Sequence, residues 1–172
     1  MPNYREILTK AIIAKGYKAF SDERSIQVEE EISRSLGCWV INHKSDILRE
    51  GNQVFVTGSY QVFLWYGFNH DTNCKLINQT FDFKDEVPYV FSDDAEDLNE
   101  KHEIKKYVSK QPTCVYLNHE GKTIHFKVER AYSIDLIGET KLTIKVNENT
   151  KKEETDLDSQ INTDYILEKK QK

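Results

Sequence analysis

The residues best equipped for chemistry crowd into one short stretch, Gly-Cys-Trp-Val-Ile-Asn-His-Lys-Ser-Asp, from Gly37 to Asp46. Cys38 offers a nucleophile or metal ligand, His43 a base or ligand, and Asp46 a carboxylate to orient it. A catalytic triad needs a base held against a nucleophile and an orienting group behind the base. Nothing else in the chain completes that pattern. The other histidines (His70, His102, His119, His125) are scattered, two of them following Asn in turn-like segments. The three cysteines, Cys38, Cys74 and Cys114, are odd in number and never form C-x-x-C, which argues against a zinc knuckle or a disulfide framework. Buried structural thiols are expected, although oxidative cross-linking within an assembly is permitted. The chain lacks a dinucleotide fingerprint, a P-loop, a G-x-S-x-G elbow and an H-E-x-x-H pair. The acidic run Asp-Asp-Ala-Glu-Asp-Leu-Asn-Glu lacks the central glycine of a calcium loop. The expectation is a chain with no catalytic, cofactor or metal site, and no enzyme.

Composition points the same way. The 172 residues carry 24 basic and 29 acidic side chains, a net charge of −5, with 38% hydrophobic content. That is enough apolar material for one core. The balance lacks the basic footprint of nucleic-acid binding and disfavours anionic membrane surfaces. No apolar signal segment opens the chain, and no run of about 18 apolar residues exists for membrane insertion. The sparse, unpatterned cysteines make a reducing cytosol the expected setting.

The elements that must position these residues are mostly strands. In residues 53–68, Val54, Val56, Tyr60, Val62, Leu64 and Tyr66 share one parity, which predicts a long strand with one apolar face. Gly58 lies mid-run, where a bulge or bend is expected. Residues 123–137 alternate as clearly, with Ile124, Phe126, Val128, Tyr132, Ile134 and Leu136 on one face. Arg130 is the one charge on that parity. Turns are expected at 49–52, 69–73, 118–121 and 138–140. Residues 5–20 fit a helix or a strand, and the charged segment 21–35 reads as a surface connection with room for a short strand at Ile26–Val28. Regular turns without a convincing helix predict an all-β fold, an antiparallel β-sandwich or open barrel. Trp39, Tyr60, Trp65 and Tyr132 are its expected apolar anchors.

Two segments depart from the pattern. Between Asp85 and Glu103 eight acids face one base, which predicts an acidic internal loop. Asp93, Asp94, Glu96 and Asp97 form its candidate surface for a basic partner. Residues 151–172 hold six acids and five bases and few large apolar side chains, and read as a flexible polar C-terminal tail. The organisation expected is a β-rich domain over 1–150 and a tail over 151–172.

An ordered set of short stretches carries a family resemblance: Tyr-Arg-Glu-Ile near the start, Gly-Cys-Trp-Val-Ile-Asn-His-Lys, Gly-Ser-Tyr, Gln-Pro-Thr-Cys, and Ile-Gly-Glu-Thr-Lys before Val-Asn. Spread over residues 4–147, they resemble the CotE family of outer spore-coat morphogenetic proteins from endospore-forming bacteria. The resemblance implies a strand for residues 7–20. It implies a non-enzymatic scaffold made in the mother-cell cytoplasm, which self-associates into homo-oligomers around the forespore and then belongs to the spore coat. Its implied partners are basement-layer, inner-coat and outer-coat proteins. The family's tail is strongly acidic, whereas this one is near neutral, so recruitment by a simple acidic tail does not carry over. A second reading is a small-ligand or glycan-binding β-sandwich with Trp65, Tyr66 and Phe68 as a stacking platform. Alternation, however, puts Tyr66 and Phe68 on the face opposite Trp65.

Overall fold

The computed structural model describes residues 3–92 and 98–146. The expected tail, and with it most of the acidic run at 93–97, lies outside the described residues. Seven strands follow in order: β1 (Asn3–Gln27), β2 (Ile32–Glu50), β3 (Gln53–Phe68), β4 (Asn73–Glu86), β5 (Tyr89–Phe91), β6 (Glu103–Glu120) and β7 (Thr123–Val146). No described residue is helical. The strands form two antiparallel sheets, one ordered β5-β1-β7-β6 and the other β2-β3-β4, an arrangement consistent with a sandwich. Residues 10–140 make up one compact unit; the outer ends of β1 and β7, residues 3–9 and 141–146, belong to a second, mostly exposed one.

The larger unit holds the core. The even-numbered apolar residues from Val54 to Tyr66 of β3 and from Ile124 to Leu136 of β7 are sealed from solvent, with Val54, Val56, Tyr60, Val62, Leu64, Ile134 and Leu136 at zero exposure. Two-residue periodicity turns one face of each strand inward, and the core clusters these side chains together. Tight connections leave β2, β3 and β4 as a meander. Gly51 takes φ 57° between β2 and β3, and Asn69, His70 and Asp71 all take left-handed φ between β3 and β4. Asn and Asp tolerate that region better than most residues.

Four sequence expectations are corrected here. Residues 138–140 do not turn: β7 runs straight through them. Gly138 is required for close packing instead, since a Cβ there would sit 2.7 Å from Ile13 Cδ1 and 2.9 Å from His102 Cδ2. The segment 21–35 is no loose connection, because β1 continues to Gln27 and β2 begins at Ile32. The acidic loop is shorter than charge implies, with β4 reaching Glu86 and β6 starting at Glu103. Gly58 carries no bulge in β3, which keeps its register with β4 through that position. The irregularity lies across from it in β2, between Ile41 and Lys44, and the Lys44 carbonyl fills the space a side chain at Gly58 would need.

Candidate functional site

The first assembly is a buried cation. Alternation turns Arg130 inward on β7, where it is 2% exposed. Its Nε and one terminal nitrogen donate to the two carboxylate oxygens of Asp85 at 2.6 and 2.8 Å, and the other terminal nitrogen donates to Asp22 at 2.7 Å. Phe83 lies beneath the guanidinium at 4.6 Å, with Phe20 and Tyr60 further out. Burial opposes the charge, but the hydrogen bonds Arg130 donates to Asp85 and Asp22 outweigh it and raise the Arg130 pKa. A planar, five-donor group is suited to this bidentate and stacked geometry. Asp22 lies on the inward parity of β1, and Asp85 on that of β4 beside Phe83. These are the partners that linear reading misses; the signal was Arg130 itself, a charge on an apolar parity.

The second assembly is a seam where β2, an edge of one sheet, packs along β6, an edge of the other. Side chains tie the two strands along their length. Ser35 Oγ and His119 Nδ1 share a hydrogen bond of 2.9 Å. The thiols of Cys38 and Cys114 are in hydrogen-bond contact. Further along, His43 Nδ1 donates to Gln111 Oε1 at 2.7 Å, and Lys106 Nζ donates to Ser45 Oγ at 2.6 Å. The Nδ1–H tautomer leaves His43 Nε2 to accept the Tyr132 hydroxyl at 2.9 Å. The imidazole also stacks on Phe83 at 5.9 Å. Burial is the main cause that lowers the His43 pKa, with Lys106 and Arg130 adding repulsion against the Gln111 hydrogen bond. The bulge at Asn42, whose φ is 54°, aims His43 inward. His43 is thus a positioned group that links β2 to β6 and β7.

The third feature is the outer face of β2-β3-β4. Trp39 and Trp65 are 51% and 42% exposed, and their rings lie 6.2 Å apart at 57°. Expected as buried anchors, both face outward instead. Cys38 and Val40 take the inner positions opposite Leu64 and Val62. Gly37 has no side chain, and the indole of Trp39 lies over it. Ile41 and Leu76 extend this exposed apolar face. The other two anchors, Tyr60 and Tyr132, are fully buried. Tyr66 is buried too, its hydroxyl donating to Glu30 at 2.7 Å, so no Trp65–Tyr66–Phe68 platform exists. Lys75 and then Tyr66 hold the Glu30 carboxyl down at about 2. Asp93, Asp94, Glu96 and Asp97 lie outside the described residues. Among the described residues no three His, Cys, Asp or Glu side chains group to hold a metal, and no helix is long and apolar enough to cross a membrane.

In class this is a two-sheet β-sandwich protein whose polar side chains tie sheet to sheet. The chain belongs to the outer spore coat protein E (CotE) family: the family's model matches residues 3–170, nearly its whole length. That is a structural family of the spore coat, so the chain has a spore coat role and a spore coat location, and other coat proteins are its implied partners. No curated protein matches the chain, and no solved structure does.

Proposed function

We propose that the protein is a morphogenetic scaffold. It self-assembles around the forespore from the mother-cell cytoplasm and directs assembly of outer-coat proteins over the basement layer and inner coat. The observation that carries this reading is the open edge of β4. Among the described residues β4 pairs only with β3, and residues 76–81 (Leu-Ile-Asn-Gln-Thr-Phe) carry no charge along that edge. An unpaired, uncharged strand edge is a template for adding another chain. The exposed Trp39, Ile41, Trp65 and Leu76 side chains lie on the outer face of the same sheet and give an added strand apolar surface to cover. Asp93, Asp94, Glu96 and Asp97 serve in this reading as a docking surface for basic coat proteins, supported by the clustered charge of that run.

The test is light scattering on the full chain and on a variant carrying Asn78→Lys and Thr80→Lys, both at exposed positions of β4. The wild-type chain should form large species. The variant should fall to small ones at unchanged melting temperature, and a chain ending at residue 147 should stay assembled. A monomeric wild-type chain would remove self-assembly from the proposal; an assembled variant would remove the β4 edge.

A second reading, glycan binding, now rests on Trp39 and Trp65 alone. Their 57° tilt offers no flat surface for a sugar ring, which favours the scaffold.

A further inference from the structure

The seam brings together two thiols that lie 76 positions apart in sequence, Cys38 on β2 and Cys114 on β6. Both are free and partly buried, both pack against the core, and Cys74 is exposed elsewhere. The Ser35–His119 bond on one side and the His43–Gln111 bond on the other hold the two strands in register around them. Thiol contact across two separately anchored strands is the arrangement from which a disulfide forms with little backbone movement. We propose that Cys38 and Cys114 are a peroxide-sensitive pair that closes into an intramolecular disulfide, locking the edge of one sheet to the edge of the other.

The surroundings act on both sulfurs. As a thiol, Cys114 Sγ donates to the Tyr116 carbonyl at 3.3 Å. A register shift between Cys114 and Tyr116 breaks the regular ladder there and re-aims local backbone groups. As a thiolate, Cys114 is stabilised first by the Cys38 S–H and then by backbone bonds at Tyr116 and Lys127, which bring its pKa down to about 7. The same shared proton, together with burial, raises Cys38. Either sulfur can open the reaction; with Cys114 attacking, Cys38 resolves.

The chemistry requires a hydroperoxide as oxidant. The Cys114 thiolate attacks one peroxide oxygen, the O–O bond breaks, and hydroxide leaves, giving a sulfenic acid. The Cys38 sulfur then attacks the sulfenic sulfur. The S–S bond forms, the S–O bond breaks, and the Cys38 proton departs with the oxygen as water. Two thiols are oxidised and one peroxide is reduced to two waters.

The full-length protein tests this directly. After hydrogen peroxide treatment, quenching, unfolding and iodoacetamide labelling, the expected product carries one label, at Cys74, instead of three. Its peptide map should contain a reducible Cys38–Cys114 link within a single chain. In Cys38→Ser, dimedone should trap a sulfenic acid at Cys114. In Cys114→Ser it should trap one at Cys38. Three labels after treatment, or disulfides made only through Cys74 or only between chains, would overturn the proposal.

Discussion

The Arg130 cluster and the β2–β6 seam are both polar assemblies inside one sandwich, yet they are built on opposite plans. Around Arg130 three donated hydrogen bonds meet two carboxylates, aromatic rings cover the guanidinium, and the groups are held in one arrangement. Along the seam the members are two histidines, two thiols, an amide, hydroxyls and the Lys106 ammonium, most of them able to change proton or partner. The contrast teaches where this fold fixes its structure and where it remains open to its surroundings. A saturated buried charge specifies which strands meet, because any other pairing strands an ion. A seam of mostly neutral, exchangeable groups holds two edges together while leaving chemistry available.

The largest expected effect lies in the saturated cluster. Arg130→Met keeps volume but leaves Asp85 buried without its counter-ion. Removing one partner of a buried pair costs ~3–5 kcal/mol, so chemical denaturation should show a loss of that order. A loss below about 1 kcal/mol would mean that Asp85 finds another partner or a proton, and that the cluster is less fixed than its geometry implies.

Next comes the point where the two regions touch. Tyr132→Phe removes the hydroxyl that His43 Nε2 accepts, leaving a partly buried nitrogen unsatisfied at a cost of about 1–2 kcal/mol. The same histidine sets a pH dependence. Its folded pKa lies below the ordinary 6.5, so the unfolded chain binds the proton more readily. Stability is then intact above 6.5 and is lost as the pH falls from there through the lower folded pKa. Thermal unfolding from pH 8 to pH 5 should show this loss, and His43→Phe should flatten it. A slope that survives in His43→Phe would assign the acid sensitivity to other groups.

Smaller still is the outer face. Trp39 is half exposed and rests mainly on Trp65, so Trp39→Ala should cost about 1 kcal/mol, the scale of an aromatic pair. A fully buried indole would cost several times more, so a large drop in melting temperature would contradict the outward placement. The smallest change is Tyr60→Phe. The Tyr60 hydroxyl is buried with no hydrogen-bond partner among the described residues, so its removal should leave denaturant stability unchanged or raise it.

The two strands that dominate the core were legible because their inward positions are uniformly apolar. β3 and β7 could be read from alternation alone, down to Tyr60 and Tyr132. β2 was legible as a strand but not in its facing. Trp39 and Ile41 on one parity rival Cys38 and Val40 on the other, and only the fixed inner face of β3 opposite them decides. Asp85 was grouped with its acidic neighbours because linear charge counting cannot see a guanidinium 45 positions away. Asp22 and Arg24 made β1 look like a connection for the same reason. Glycine misled at position 138, since a residue chosen for a turn and one chosen for close approach look alike in sequence. The Cys38–Cys114 contact left no local trace, because it depends on the register of two edge strands from different sheets.

The sheet orders also set a timetable for the nascent chain. β2, β3 and β4 are sequential hairpins, so each can zip onto its predecessor as it emerges. β1 lies beside β7, whose first residue is Thr123, so Ala14 and its neighbours lack their central-strand partner until most of the chain has been made. At translation rates of ~5–20 residues per second, that wait is roughly 5–20 s. Pairings so distant in sequence are slow to form. Throughout that interval the β1 strand from one ribosome is available to a β7 strand from another. An exchange between the two would leave a pair of chains, each completing the other's sheet.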